Sequence, residues 1–296
     1  MTAGKILCPI DFSEFSAHAM TVAVRLAQAR GCELVLMHVW YLPPVATTGE
    51  VVYPAEMIRG LVDDVERGLA AAVETARKLG ATRLSSKLID GKPWVKIVEL
   101  AEADPEIDLI VLGTHGRTGL ARVFLGSVAE MVVRHAPCSV LTVPQGCGAS
   151  FRRILCPVDF SESSRLALDL ALGFEPGLAP TADRSVMLLH IIEPPRMYAV
   201  EAATNLHPGL AGESQELLDD WGKAATATHP AKVSTLVRIG RPGPQILAIL
   251  EEDKAFDLVA VGSHGRTGLA RTLLGSVAER VVRHAARAVL VARPRR

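Results

Sequence analysis

Apolar side chains recur along this chain in two rhythms that take turns. The first is a short run with few polar breaks: Lys5 to Ile10, Glu33 to Val39, Asp108 to Leu112 and Ser139 to Val143, with Leu84 to Ile89 alternating instead. Runs of this length suit strands buried inside a sheet. The second rhythm has helical spacing. From Ser16 to Arg30 it places Ala19, Val22, Ala23, Leu26 and Ala27 on one face, and it returns from Ala55 to Leu79, Pro93 to Ala103 and Ser127 to His135. Gly80 closes the second of these helices and Pro93 opens the third. Strands and helices alternate five times, which predicts a parallel sheet covered on both faces.

The pattern then starts again. Strands are predicted over Arg153 to Val158, Ser185 to Ile191, Val233 to Ile239, Asp257 to Val261 and Ala288 to Val291. The sequence itself repeats as well: 22 of the 31 positions from Gly113 to Val143 are identical in Gly262 to Ala292. A repeat of this length divides the chain into two equivalent domains, 1–146 and 151–296. Only Gln145 to Ser150 joins them, too short a linker for the halves to drift apart.

Composition narrows the class without naming a function. At 296 residues each half can bury a core of its own, and 32 basic residues balance 32 acidic ones. That balance gives no reason to expect a nucleic acid or an anionic membrane as partner. No apolar run is long enough to span a bilayer and no signal peptide opens the chain, so a cytoplasmic protein is expected. The five cysteines lack C-x-x-C spacing, and Cys8 and Cys156 fall inside apolar runs, so structural thiols are expected rather than metal ligands or nucleophiles.

The chemistry lies at the ends of strands one and four. In a doubly wound sheet these become neighbours where the winding reverses, and ligands sit in the crevice outside their carboxyl ends. Pro9 and Asp11 leave strand one; Gly113-Thr-His-Gly116 leaves strand four and leads to Gly126-Ser127, where a helix begins. Glycines let a backbone approach a ligand, and helix N-termini hold anions. At Gly126 and Gly275 a Cβ would intrude on a phosphate, and left-handed backbone is a further expectation. The lysine-bearing phosphate loop, the G-x-G-x-x-G dinucleotide fingerprint and the G-x-S-x-G nucleophile elbow are all missing. What remains is G-x2-G-x9-G-S twice, with Pro-x-Asp-Phe-Ser twice.

On those motifs the chain resembles the universal stress proteins, in the tandem type of their ATP-binding branch, over essentially its whole length. The resemblance implies five-stranded sheets of order 3-2-1-4-5, ATP or a related adenine nucleotide in each crevice (with Mg2+ as a companion ion) and dimeric packing through the last strands. It implies that Asp11 holds the ribose beside the backbone of Gly113, that Pro9 flanks the base and that Val39 meets adenine through its main chain. Gly116, Gly126, Ser127 and the N–H of Val128 are then the phosphate cradle. In the second half the same tasks fall to Asp159, Gly262, Pro157, Ile191, Gly265, Gly275, Ser276 and Val277.

Plainer roles compete. Read alone, Asp11 and Asp159, like Ser13 and Ser161, serve equally well as helix caps. His115 and His264 tune charge or face solvent, since no carboxylate stands in sequence reach to orient a base. His38 and His190 read as packing at strand ends. Arg117, Arg122, Arg266 and Arg271 are as consistent with phosphate forks as with solvated loop residues. The helix from Val128 to Arg134 reads as core, and Arg293-Pro-Arg-Arg296 as a frayed tail.

The leading expectation is a nucleotide-dependent regulatory binding protein with no catalytic residue and no resident protein-held metal. It would act on an unknown protein partner, and as a homo-dimer beyond its internal pair. The competing expectation is an enzyme that slowly hydrolyses ATP or transfers a phosphoryl or nucleotidyl group. Efficient phosphoryl transfer needs a placed metal and a base or oriented water, and the motifs offer neither.

Overall fold

A computed structural model describes residues 4–42, 54–116, 125–148, 151–173, 184–194, 208–228, 231–265 and 274–295. The first half runs β1 (Lys5–Ile10), α1 (Glu14–Arg30), β2 (Glu33–Trp40), α2 (Ala55–Lys78), β3 (Leu84–Asp90), α3 (Pro93–Ala103), β4 (Ile107–Gly113), α4 (Ser127–His135) and β5 (Ser139–Val143). The second half repeats it as β6 (Arg153–Val158), α5 (Glu162–Gly173), β7 (Ser185–Ile192), α6 (Pro208–Thr228), β8 (Lys232–Ile239), α7 (Pro242–Glu252), β9 (Leu258–Gly262), α8 (Ser276–His284) and β10 (Ala288–Ala292).

Strand order is β3-β2-β1-β4-β5-β10-β9-β6-β7-β8 in a single sheet. Within each half every pairing is parallel, and β1 lies between β2 and β4, so the winding reverses beside it. The alternation of strand side chains sorts the core into two layers. Ile6, Cys8, Leu34, Leu36, Leu109 and Val111 face the side covered by α1, while Leu7, Val35, Met37, Ile110 and Leu112 face α3 and α4. Each layer continues into the second half, so one apolar interior runs under both.

The halves join where the sequence repeat ends. β5 and β10 pair antiparallel, Val289 opposite Thr142 and Val291 opposite Val140, and so cover edges that would otherwise be open. Above the strands α4 and α8 exchange charges. Arg134 stands 3.3 Å from Glu279 and Arg283 2.9 Å from Glu130, a reciprocal pairing suited to a pseudo-two-fold axis. These ions remain about one-third exposed, so they fix register more than they stabilise. The linker is held by both halves. His18 Nε2 donates to the Cys147 carbonyl at 2.7 Å, and the Cys147 thiol lies 3.6 Å from the Asp257 carbonyl.

The tail departs from expectation. Arg293 is 5% exposed, and its guanidinium donates to the carbonyls of Val133 (3.2 Å), Arg134 (3.2 Å) and Ala136 (2.5 Å) at the end of α4. Arg295 reaches the carbonyls of Ala101 (3.2 Å), Asp104 (2.8 Å) and Ile107. Residues 293–295 are therefore a strap from the second half onto the first, not a frayed end; Arg296 lies outside the described residues. The last carbonyls of a helix have no partner within it and carry partial negative charge, which two guanidinium groups satisfy.

The thiols fit the structural reading. Burial pushes Cys8, Cys138 and Cys156 up to about 12, and raises Cys32 and Cys147 as well. Because the thiolate is the reacting form, these three should stay silent toward an aromatic disulfide reagent at pH 8 in the native protein. All five should titrate in denaturant. Rapid native reaction of Cys8 or Cys156 would contradict this placement.

Candidate functional site

Both crevices form where the sheet reverses. In the first half the register of β1 on β2 ends with Ile10 opposite His38, so Val39 lies past the last β1 partner with its main chain at the opening. His38 supports this corner: its Nδ1–H donates to the Ile10 carbonyl at 2.7 Å. Phe12 stacks on the imidazole at 4.2 Å between centroids, 21° from parallel. The second half repeats the arrangement with His190 on Val158 at 2.9 Å and Phe160 against His190 at 4.5 Å. Phe12 and Phe160 have φ of 64° and 63°, left-handed backbone that costs a bulky residue about 1–3 kcal/mol. The turn after strand one is thus held against strain, and it aims the preceding aspartate.

Asp11 is not the helix cap; Ser13 is. Ser13 Oγ accepts from the N–H of Ser16 at 3.2 Å, while Asp11 Oδ1 accepts from the N–H and Oγ of Ser13 at 3.0 and 2.6 Å. That leaves Oδ2 directed across the crevice toward the loop after β4, since a Cβ on Gly116 would lie 2.7 Å from it. Asp159 does the same through Ser161 N–H (3.1 Å) and Oγ (2.5 Å), with Oδ2 2.8 Å from a Cβ on Gly265. Capping thus falls to Ser13 and Ser161, and the aspartates turn their other oxygen toward the loop after the fourth strand of each half.

The glycines work by proximity, not by left-handed backbone. Gly126 and Gly275 have φ of −62° and −64°, which corrects the expectation of positive φ. A Cβ at either would meet the carbonyl oxygen of Thr114 or Ser263 at 3.2 Å. Their N–H groups are also committed, to Thr114 at 2.7 Å and Ser263 at 2.8 Å, so they close the loop rather than face a phosphate. At Gly113 and Gly262 a Cβ would strike the backbone of the following layer's helix start, Phe15 at 3.0 Å and Ser163 at 2.7 Å. The amides turned toward the opening belong to the first turns of α4 and α8, which have no side-chain cap. These are the N–H groups of Ser127, Val128 and Ala129, and of Ser276, Val277 and Ala278, orphaned by helix geometry.

All sixteen positions carried by the resemblance line these two crevices. The first, about 440 Å³, holds Pro9, Asp11, Val39, Gly113, Gly116, Gly126, Ser127 and Val128. The second, about 640 Å³, holds Pro157, Asp159, Ile191, Gly262, Gly265, Gly275, Ser276 and Val277. Sequence reasoning marked the loop that begins at Glu193 as differently composed from its counterpart but missed the other walls, among them Trp40, Leu61 and Val65 in the first and Glu213 and Leu217 in the second. Their only sequence signal was the apolar or polar character of loops and helix faces whose direction the repeat alone did not reveal. Arg117, Arg122, Arg266 and Arg271 lie outside the described residues.

Toward chemistry the groups are sparse. His115 Nδ1 is 2.9 Å from Thr114 Oγ1 and its ring tilts on Phe15 at 5.1 Å; His264 Nδ1 is 2.9 Å from Ser263 Oγ. Each imidazole stands beside the hydroxyl of the residue before it. Among the described residues no three His, Cys, Asp or Glu side chains gather as metal ligands, and no helix is long and apolar enough to cross a membrane.

Known proteins share this architecture. The universal stress protein family model matches residues 2–144 and again 150–293. A universal stress protein of Mycobacterium bovis is 31% identical over 282 residues, covering 90% of this chain and 89% of its own. One from Methanocaldococcus jannaschii is 35% identical over 144 residues, 47% of this chain and 81% of its own. The crystal structure of an Archaeoglobus fulgidus universal stress protein superposes with a TM-score of 0.69, covering 99% of both chains at 20% identity, a likeness of fold.

Proposed function

This chain belongs to the universal stress protein family, and from that premise we propose that it is an ATP-binding regulatory protein with one nucleotide site in each half. A single observation supports the reading most. In both halves an oriented aspartate oxygen faces, across the reversal of the sheet, an uncapped helix N-terminus approached by a close-packed glycine turn. The aspartate suits ribose hydroxyls, which donate to it. The orphan amides and the positive end of the helix suit phosphate oxygens. The main chain of Val39 or Ile191 at the end of the register suits the adenine edge. A crevice of about 440 Å³ is of the size that buries a drug-sized ligand.

ATP is the ligand to which these groups are matched, or an adenine nucleotide close to it, with any Mg2+ carried by the phosphates. When bound, the nucleotide supplies charge that the helix ends hold; the residues orient and shield it without a positioned base. Slow hydrolysis is the alternative, and the hydroxyl-held His115 and His264 are the groups it would have to recruit. We place the protein in the cytoplasm with a protein partner of unassigned identity. Because β5 and β10 already cover each other, a homo-dimer has to use a face other than the last strands.

Titration calorimetry of nucleotide-stripped protein should give ATP stoichiometry near two per chain. Each site should add about 2.7 kcal/mol of stability at a hundredfold excess of ATP over its dissociation constant. No heat and no thermal shift with ATP would remove this reading.

A further inference from the structure

The two crevices are built on one plan but walled differently where the base would lie. Trp40 and Ile192 occupy equivalent places: each ends its strand, and the carbonyl of each accepts from a glycine N–H, Gly91 at 3.0 Å and Gly240 at 2.9 Å. The next residue is Tyr41 in the first half and Glu193 in the second. The helix across the opening repeats the contrast. α2 lines the first crevice with Leu61 and Val65, whereas α6 lines the second with Glu213 and Ser214 beside a single apolar side chain, Leu217. Besides the shared aspartate, the first crevice has no acidic lining residue among the described residues, and the second has two in a wider space of about 640 Å³.

We propose that the C-terminal crevice selects a guanine nucleotide, with Glu193 and Glu213 reading the edge of the base. The inference rests on the nucleotide reading given above and refines its second site. A carboxylate only accepts hydrogen bonds, so it favours a base edge made of donors. Guanine offers two adjacent ones, the ring N1–H and the exocyclic amine, which a carboxylate can take together through both oxygens. Adenine presents a single amine flanked by ring nitrogens with lone pairs. One carboxylate oxygen then gains a bond while the other faces a like-signed acceptor. In the N-terminal crevice Tyr41, Leu61 and Val65 offer flat or apolar contact without that penalty, so adenine keeps its place there.

Photoaffinity labelling of the intact protein with azido-GTP and azido-ATP, followed by mapping of the labelled peptides, tests this. At equal, subsaturating concentrations the guanine probe should label the C-terminal half more strongly than the adenine probe does, and the adenine probe should favour the N-terminal half, while ATP at saturation still fills both. Competition by unmodified nucleotides should show GTP about tenfold tighter than ATP in the C-terminal crevice. Glu193→Gln combined with Glu213→Gln should bring that ratio within about twofold, because an amide no longer accepts through both oxygens. ATP labelling the C-terminal half as well as GTP, or better, overturns the proposal and leaves the nucleotide reading standing. Neither probe labelling either half overturns both.

Discussion

Gly126→Val should empty the N-terminal crevice, lowering ATP stoichiometry from near two to near one while the sheet stays folded. Backbone strain is not the reason, because φ −62° and ψ 147° suit valine well. The reason is the carbonyl of Thr114, 3.2 Å from the new Cβ, with His115 Cα at 3.5 Å behind it. The loop entry has to move away from the helix start, and the 2.7 Å bond that ties Gly126 to Thr114 lengthens with it. Loop and helix amides then no longer converge on one anion. Losing two charge-assisted hydrogen bonds, at about 1.5–3 kcal/mol each, amounts to at least a hundredfold in affinity. Gly275→Val should do the same to the other half, where the contact to Ser263 is also 3.2 Å. Asp11→Ala should cost less binding, about one such bond, but it also releases the two bonds that hold Ser13. Calorimetry on the double valine variant decides the matter: ATP binding at wild-type affinity would show that the loop is not the phosphate site.

These expectations show what the residue pattern could and could not convey. The strands and helices were legible because their periods are local, and the positions that line the two crevices because the motif is dense and occurs twice. The reason for each glycine was not legible. A glycine signals that a Cβ is unwelcome, but left-handed backbone and a close neighbour leave the same letter. At Gly126 the neighbour is Thr114, which is near only once the loop has closed. Phe12 is the converse case, a bulky residue in left-handed backbone that no propensity rule would place there. Its support comes from His38, contributed by a different strand. The ends of elements moved by a residue or two for similar reasons. α1 begins at Glu14 rather than Ser16 because Ser13 caps it. β2 runs on to Trp40 because β3 continues beside it to Asp90 after β1 has stopped. The tail was the largest miss. Arg-Pro-Arg-Arg at a chain end has the composition of a solvated terminus, and every partner of Arg293 on α4 lies more than a hundred residues earlier.

That strap carries the second large expectation: Arg293→Ala should destabilise the protein by about 2–4 kcal/mol, far more than an exposed arginine would. The wild-type guanidinium is almost wholly buried and meets three carbonyls at the end of α4. Alanine leaves those acceptors without their donor in a space too enclosed for easy hydration, at about 1–3 kcal/mol for each that stays unsatisfied. It also removes a cation from the negative end of the helix dipole. The backbone of residue 293 would stay anchored, since its N–H donates to Ser139 Oγ at 3.1 Å, so the sheet seam should persist. Lysine should recover only part of the loss, because one ammonium cannot present a planar fork to three separated oxygens. The repeat supplies an internal contrast: Pro144 occupies the position after β5 that Arg293 occupies after β10, so the second half holds the first without a matching clasp in return. Arg77, 59% exposed and paired with Glu74 within α2, is the control, and Arg77→Ala should change stability by no more than about 0.5 kcal/mol. In scanning calorimetry the Arg293 variant should melt several degrees lower, by roughly 2–4 °C per kcal/mol for a chain of this size. If Arg293→Ala melted together with Arg77→Ala, the strap would be an incidental contact, and β5 with β10 alone would have to account for the joining of the halves.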